Sequence, residues 1–286
     1  MPGRSHADAT VPDSLNWNAS WQQESDRQAG RSITQMGHSK NSAGCRACLD
    51  SPPLDFEISM AFQPIVDVVR GRVFAHEALV RGPGGEPAGK VFEQVNDDNR
   101  YRFDQACRVR AIELAARLGM SSRLSINFMP NAVYRPELCI RTTLQAAHAC
   151  DFPIERIIFE ITEGEQITDR AHLRSIIHHY QTQGFLTAID DFGAGYAGLN
   201  LLADFSTDLV KLDMALIRNV HEDPVRQTII RGTLGVCQTL GSQVVAEGVE
   251  SANELDFLRE AGIELFQGYH FARPAFEALP EPQNFN

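Results

Sequence analysis

Several apolar runs in this sequence end on a side chain that could take part in chemistry. Glu160 follows the run 157–159, and Glu247 follows the run 244–246. The other members of the set occupy comparable positions: Glu77, Asn127, Asp190, Asp191, Lys211 and Asp213. A single acid after a strand is most often a helix cap or a loop residue. Because six separate runs each deliver such a residue, the set as a whole indicates a functional site.

The residue types in this set favour divalent cations. Carboxylates gathered at one place cannot all stay ionised without cations, because like charges raise one another's pKa. They must either share protons or bind metal. Oxygen atoms of Glu, Asp and Asn, with no Cys or His at these positions, suit Mg²⁺ or Mn²⁺ better than Zn²⁺. Several carboxylates also suit two ions about 3.5–4 Å apart, and the adjacent Asp190 and Asp191 are a natural source of the bridge. His76 is not counted as a ligand, because strand alternation points it away from Glu77.

Eight apolar runs beyond Phe56 have the length and composition of strands. They cover residues 61–69, 73–80, 124–127, 156–161, 186–189, 208–212, 243–246 and 264–266. Helical periodicity lies between them at residues 103–118, 136–149, 169–183, 223–240 and 253–260, with one or two helical turns in 196–202. Strand–helix alternation of this kind implies parallel strands joined by crossover helices.

This pattern predicts an α/β fold, specifically a (β/α)₈ TIM-like barrel. The first two runs are separated only by Arg70, Gly71 and Arg72, which indicates a hairpin and therefore a first strand antiparallel to the others. A doubly wound open sheet is the alternative fold. In a barrel the carboxyl ends of the parallel strands open on one face, where active sites are built. We therefore expect the residues named above to meet at that face.

The overall composition excludes several functional classes. A formal net charge of −11 and a pI near 5.3 argue against a general nucleic-acid binder, so no DNA partner is expected. The chain has no run of about 18 apolar residues that would span a membrane, and its first 30 residues lack the apolar stretch of a secretion signal. Six cysteines spread over 286 residues do not form a disulfide scaffold. A cytoplasmic location is expected.

Residues 1–52 differ from the rest of the chain. They are rich in polar residues and show no hydrophobic periodicity, so they bury too little apolar surface to offset the entropy of ordering. We predict a flexible N-terminal extension over 1–52 and a folded domain over 53–286. The extension is a candidate binding site for a regulatory partner. Cys45 and Cys48 have a zinc-like or redox-like spacing, but a zinc site would need two further ligands.

The motifs around these residues resemble those of the EAL-domain phosphodiesterases. In chain order they are Gln63-Pro64-Ile65-Val66, Glu77-Ala78-Leu79-Val80-Arg81, Ser125-Ile126-Asn127, Glu160-Ile161-Thr162-Glu163, Asp190-Asp191-Phe192-Gly193, Lys211-Leu212-Asp213, Ala246-Glu247-Gly248-Val249-Glu250 and Gln267-Gly268-Tyr269. The resemblance extends from about Phe56 to Leu279. It departs from the family at Ala194, Ala197 and Gly198, where the family more often has Thr or Ser followed by two Ser.

The resemblance implies a metal-dependent enzyme that opens the bacterial second messenger c-di-GMP to linear pGpG, in a barrel with its first strand reversed. It implies that one Mg²⁺ or Mn²⁺ ion is held by Glu77, Asn127, Glu160 and Asp190, and a second by Asp190, Asp191 and Glu247. The implied catalytic residues are Glu247, Lys211 and Asp191, with Lys211 orienting the attacking water, and the implied substrate-binding residues are Gln63, Arg81, Asp213 and Gln267. Glu163 resembles the residue that anchors the loop after Asp191. The resemblance also implies a homodimer through the barrel.

Two other functions remain open at this point. The barrel could bind c-di-GMP, or a partner protein, without cutting anything, and a missing metal ligand would favour that interpretation. No ligand of the implied set is missing from the sequence. Alternatively, the activity could reside in the extension, with the barrel as a scaffold. An extension rich in apolar anchors would support this, but Trp17 and Trp21 are among only a few apolar residues there.

Overall fold

Nine strands form a single sheet in the part of the chain that the computed structural model describes, namely residues 54–162, 169–195 and 198–284. The strands are β1 Ser59–Asp67, β2 Arg72–Arg81, β3 Arg123–Asn127, β4 Ile157–Thr162, β5 Leu186–Phe192, β6 Leu209–Leu212, β7 Gln243–Ala246, β8 Leu265–Phe266 and β9 Ala275–Phe276. The strands β2 to β8 are neighbours in chain order, and β1 pairs with both β8 and β2. Eight strands therefore close into a barrel, and β9 is an additional strand on β1.

The strand directions confirm the predicted reversed first strand. β1 is antiparallel to β2, β8 and β9, whereas the pairs from β2 through β8 are parallel. The β1–β2 hairpin turns through Gly71 at φ +59°, a left-handed conformation that glycine adopts readily. Asp67 stabilises the turn by accepting a hydrogen bond from the Arg70 amide at 2.9 Å. Because β1 runs backwards, Gln63 lies directly opposite Glu77.

Helices pack around the outside of the barrel. They are α1 Ala88–Phe92, α2 Arg100–Arg117, α3 Pro136–Cys139, α4 Arg141–Ala149, α5 Arg170–Thr182, α6 Gly198–Asp204, α7 Met214–Ile217, α8 Pro224–Leu240 and α9 Ala252–Glu260. Side chains cap several of these helices: Asp169 caps α5, Asp223 caps α8, which begins with Pro224, and Ser251 with Glu254 forms a capping box in α9. In the described part of the chain, no helix has both the length and the apolar character needed to cross a membrane.

The barrel fold was predicted correctly, and the alternative of an open doubly wound sheet is wrong because β1 closes the ring. The structure differs from the prediction in several elements. The short helices α1 and α7 and the strand β9 were not predicted. The helix expected over 136–149 is divided at Ile140 into α3 and α4. Hydrophobic periodicity continues through this position, so the pattern alone did not show the break. The predicted extension and its two cysteines, as well as Glu163 and Ala197, lie outside the described residues.

Candidate active site

A plug of apolar side chains fills the lower part of the barrel, and its strand positions determine where the polar residues lie. The cluster consists of Ile65, Phe74, Ala75, Ile158, Ala188, Leu209, Val245 and Leu265. Residues two apart on a strand face the same side. The next inward position on each of six strands therefore carries a polar residue. These are Glu77 after Ala75, Glu160 after Ile158, Asp190 after Ala188, Lys211 after Leu209, Glu247 after Val245 and Gln267 after Leu265. The sequence thus places a polar layer directly above a dry apolar layer, at the carboxyl ends of the strands.

The ammonium group of Lys211 lies at the centre of this polar layer. Its Nζ atom is 2.7 Å from Glu247 Oε1, 2.8 Å from Asp190 Oδ1, 3.0 Å from Glu160 Oε2 and 3.3 Å from Glu77 Oε2. Lys211 is 1% exposed, so its charge is removed from water. Four carboxylates around one buried ammonium compensate the cost of that burial. The lysine therefore neutralises part of the acidic layer.

Two groups of carboxylate oxygens are close enough to bind a cation. The first consists of Glu77, Glu160 and Asp190, the second of Asp190, Asp191 and Glu247, and in each group the oxygens lie within 4.8 Å of one another. Asp190 is shared by both groups. The amide of Asn127 is also adjacent, because its Nδ2 atom donates a hydrogen bond to Glu77 Oε1 at 2.9 Å.

The pKa values of the acidic side chains in this layer shift in different directions. Burial raises the pKa of Glu160 and of Glu247 well above the ordinary value, and neighbouring carboxylates add to the rise against the attraction of Lys211. Burial also raises the pKa of Asp190, and it raises the pKa of Asp191 to about 8, with the Asp190 charge adding to the rise. Burial acts in the same direction on Glu77, but Lys211 and hydrogen bonds from amide side chains keep its pKa below the ordinary value.

This donor set fits divalent cations. All the acidic donors are carboxylate oxygens, which Mg²⁺ and Mn²⁺ prefer, and most of them are buried. Asp190 Oδ1 is buried and accepts no well-directed hydrogen bond from the described residues, although Lys211 Nζ lies 2.8 Å away. A buried carboxylate oxygen without a directed donor is costly unless a cation satisfies it. Burial is the largest cause of the raised pKa values in this layer, and negative charge that one ammonium does not balance adds to the rise.

The backbone is strained at the end of β5 and in the turn that follows it, next to the acids. Asp191 adopts φ +53°, a conformation that is uncommon for residues other than glycine. Gly193 follows at φ +101°, and a Cβ atom there would lie 2.3 Å from Leu216 Cδ1. Strain of this kind persists where the surrounding structure overdetermines it, often at functional sites. The irregular backbone therefore fixes the direction in which Asp191 extends from the end of β5.

Asp213 occupies the first position after β6 and caps α7. Its Oδ1 atom accepts a hydrogen bond from the Ala215 amide at 2.7 Å, and its own amide donates to Phe192 O at 3.1 Å. The backbone of Asp213 is thus bonded to the turn after β5. A capping role explains the carboxylate by itself, and any contact of Asp213 with substrate would be additional.

Gln63 and Gln267 lie together beside Glu77. Gln267 Nε2 donates to Glu77 Oε2 at 2.8 Å and lies 3.3 Å from Gln63 Oε1, while Gln63 Nε2 donates to Ala272 O at 3.1 Å. Gly268 makes this arrangement possible, because a Cβ atom there would lie 2.1 Å from Val249 O, a backbone atom.

Arg81 ends β2 at the same rim. It is buried, and its Nη1 atom donates to Val80 O at 2.8 Å. Of the residues expected at the site, Glu163 lies outside the described part of the chain. The structure brings the remaining metal-ligand candidates together around Lys211.

Ser125 is a site residue to which the sequence analysis gave no role. Its Oγ atom donates a hydrogen bond to Glu160 Oε1 at 2.5 Å. Ser125 is two residues before Asn127 on β3 and is fully buried. Strand alternation could have found it, since residues two apart share a face.

Comparison with known proteins identifies the family. A family model described as EAL domain matches residues 54–274. The chain is 34% identical over 235 residues to the blue light- and temperature-regulated antirepressor BluF of Escherichia coli, covering 82% of this chain and 58% of the relative. It is 38% identical over 157 residues to the cyclic di-GMP phosphodiesterase PdeR of the same organism, covering 54% of this chain and 23% of the relative. The chain thus spans less than two thirds of the length of these curated relatives.

A solved structure agrees in both fold and sequence. The c-di-GMP bound form of a standalone versatile EAL protein from Vibrio cholerae O395 is 57% identical and superposes with a TM-score of 0.79, covering 81% of this chain and 98% of that chain. The family match covers most of the chain and includes every strand of the closed barrel. This protein is a member of the EAL-domain family.

Proposed function

We propose that this protein is a divalent-metal-dependent phosphodiesterase that hydrolyses c-di-GMP to linear pGpG. The observation that carries the proposal is the pair of carboxylate groups that share Asp190 around a buried lysine, at the carboxyl ends of the barrel strands. Active sites of such barrels are built on that face. The similarity to a protein named as a cyclic di-GMP phosphodiesterase, and to an EAL protein with c-di-GMP bound, supports this substrate.

The proposed metal ligands divide into two sets. Glu77, Asn127, Glu160 and Asp190 would hold one Mg²⁺ or Mn²⁺ ion, and Asp190, Asp191 and Glu247 would hold the second. When bound, such ions supply positive charge to a phosphodiester and lower the pKa of water. The oxygens that now surround the Lys211 ammonium are among these ligands.

The catalytic residues of the chain act on the attacking water and its proton. The Lys211 ammonium carries three donors and no acceptor, so it can orient a water only through the oxygen of that water. Asp191 has a pKa of about 8 because of burial and the adjacent Asp190 charge. Asp191 must therefore lose its proton to bind a cation, and in that form it would help to hold the second ion that lowers the pKa of water. We assign Glu247, at the end of β7, to the same group of catalytic residues.

The proposed substrate contacts come from the rim beside Glu77. Arg81 presents a planar fork of donors that matches the oxygens of a phosphate. Gln63 and Gln267 offer amide groups that can bind the edges of a guanine base. Asp213 lies at the start of α7 beside the turn after β5, and we assign it to the substrate-binding group.

Hydrolysis tests this proposal directly. The full chain should be incubated with c-di-GMP and Mn²⁺ or Mg²⁺, and the products separated by chromatography. We expect pGpG with either metal, and no product with a chelator or with the Asp190→Asn variant. Lys90→Ala is a matched control, because Lys90 is exposed and lies 2.9 Å from Glu93 on the surface. Intact substrate after prolonged incubation with excess enzyme and either metal would refute the enzyme hypothesis.

A second function has one observation in its favour. The relative with 34% identity is named as an antirepressor, which suggests a sensing or protein-interaction module that does not hydrolyse c-di-GMP. Equilibrium binding distinguishes the two hypotheses. Tight binding of c-di-GMP with no product at any metal concentration would favour the sensing module.

We further propose that the domain forms a homodimer through the barrel's outer helices. The α8 helix exposes Val225, Ile229, Val236 and Leu240 at 39–69% relative exposure. Their spacing of four, seven and four residues places them on one face of the helix. An apolar stripe can be covered by a second copy of the same stripe across a two-fold axis. Light scattering should give twice the mass of one chain for the wild type and a monomer for Ile229→Glu.

The division of the chain is also a proposal. We propose that residues 1–52 form an extension that can bind a regulatory partner, and that residues 53–286 form the EAL domain. The match of the family model from residue 54 supports this boundary.

A further inference from the structure

A fully buried ion pair lies beside the proposed site, in the helix layer. Asp104 and Arg108 are four residues apart on α2 and form an ion pair. They are 3% and 0% exposed, respectively. Removing both charges from water costs several kcal/mol per ion, so a buried ion pair is weak evidence for stability. What the pair contacts is therefore more informative than its contribution to folding.

The pair connects three elements. Asp104 Oδ1 accepts a hydrogen bond from the backbone amide of Met129 at 2.9 Å. Arg108 donates to Asp104 Oδ2 and lies 3.4 Å from the hydroxyl of Tyr180 on α5. The Tyr180 ring packs against Phe159 of β4, with 4.8 Å between the ring centroids. Arg108 thus binds one oxygen of the Asp104 carboxylate, and the other oxygen faces the segment that follows β3.

That segment begins at Asn127, the last residue of β3. The next two amides have different acceptors: Phe128 donates to Glu160 O at 3.1 Å, and Met129 donates to Asp104. On its other side, Asn127 donates through its side chain to Glu77 Oε1. Two anchors, one on β4 and one on α2, therefore determine where the backbone of Asn127 leaves the strand.

A small cavity lies beside this segment. A cavity of about 20 Å³ lies between β3 and α2 and is lined by residues that include Asp104, Asn127 and Met129. A space of this size accommodates about one water molecule. The segment is therefore less tightly packed on the side that faces α2, and the hydrogen bond from the Met129 amide to Asp104 spans this side.

We propose that Asp104 is a positioning residue that sets Asn127 for metal binding by holding the Met129 amide, and that Arg108 keeps the Asp104 carboxylate in place. This inference rests on the proposed function, because it concerns a ligand of the proposed first metal. Partners that orient metal ligands typically contribute 10–100-fold to metal affinity. The hydrogen bonds of Asp104 go to Met129 and Arg108, and neither of these is a proposed metal ligand or substrate-binding residue.

Two variants test the inference. Asp104→Asn is nearly isosteric, but its single oxygen can serve either the Met129 amide or Arg108. Asp104→Leu combined with Arg108→Met removes the acceptor without leaving a buried unpaired charge. Asp67→Asn is the matched control, since Asp67 is also buried and paired with an arginine, Arg70, but lies at the opposite end of β1 from the site.

The measurements are Mn²⁺ affinity by calorimetry without substrate, and kcat and KM for c-di-GMP as a function of Mn²⁺ concentration. We expect both Asp104 variants to fold, to bind Mn²⁺ about tenfold more weakly than wild type, and to recover most of kcat at saturating Mn²⁺. The control should bind Mn²⁺ like wild type. A purely structural role would lower the melting temperature without this metal-dependent recovery.

The outcomes separate the two proposals. If wild type binds Mn²⁺ and hydrolyses c-di-GMP, and the folded Asp104 variants bind Mn²⁺ equally well, the positioning role is wrong and the proposed function stands. If wild type binds no Mn²⁺, both are wrong. If the double variant does not fold, Asp104→Asn decides together with amide hydrogen exchange at Met129. Unchanged Mn²⁺ affinity in a variant whose Met129 amide exchanges faster than in wild type would overturn the inference.

Discussion

Replacing Lys211 by methionine should make the stability of this protein strongly dependent on divalent metal. Methionine fills a similar volume but removes the ammonium that lies 2.7–3.3 Å from four carboxylates. At an effective dielectric constant of about 20, one pair of unit charges about 3 Å apart attracts by roughly 5–6 kcal/mol before desolvation. After desolvation is included, removal of one partner of a buried pair generally costs about 3–5 kcal/mol.

The expected loss can be measured by thermal unfolding. For a domain of this size, 1 kcal/mol corresponds to roughly 2–4 °C, so metal-free Lys211→Met should melt about 6–20 °C below wild type at pH 7.5. The loss should be smaller at pH 5. Glu160 and Glu247 have raised pKa values, so they gain protons as the pH falls and the repulsion between them weakens.

Divalent metal should reverse the effect. Mn²⁺ at saturating concentration should raise the melting temperature of Lys211→Met more than that of wild type, because no ammonium competes for the same oxygens and the ion relieves a larger repulsion. Lys90→Met is the matched control; Lys90 is exposed and its ion pair with Glu93 is worth at most about 1 kcal/mol. If metal-free Lys211→Met melts at the wild-type temperature at pH 7.5, the lysine does not balance the acidic layer and the electrostatic argument is wrong.

Three further outcomes are expected. Mn²⁺ affinity should rise from pH 6 to about pH 8 and then level off, because the Asp191 carboxyl, with a pKa of about 8, must lose its proton to bind a cation. The metal-free protein should lose stability as the pH rises over the same range. Constant Mn²⁺ affinity by calorimetry from pH 6 to 9 would contradict the role of Asp191. Gly268→Ala should destabilise the domain by about 1–3 kcal/mol, since its Cβ would lie 2.1 Å from Val249 O. Gly235→Ala on α8 is the control, because its Cβ would have nothing within 4 Å, and it should stabilise the domain slightly. Deletion of residues 1–52 should leave a soluble protein with kcat within about tenfold of the full chain, roughly 1.4 kcal/mol of barrier, and an insoluble product would show that the extension belongs to the core.

The barrel and the position of its polar layer follow from local patterns in the sequence. Apolar runs of strand length alternating with helical periodicity predicted the fold, and the short Arg70–Arg72 connection predicted the reversed β1. Side chains alternate along a strand whatever it pairs with. For this reason the spacing of Leu209 and Lys211, or of Val245 and Glu247, already places an apolar plug below a charged layer.

Only the closed barrel decided which charges meet. Lys211 and Glu77 are 134 residues apart in the chain, and their contact exists because β1 joins β2 to β8 and completes the ring. The capping role of Asp213 depends on the direction of the backbone after β6. The hydrogen bond from the Met129 amide to Asp104 depends on how α2 packs against β3. Periodicity describes one element at a time. Hydrogen bonds and pKa shifts depend on atoms from several elements, and their positions are set only when those elements pack together.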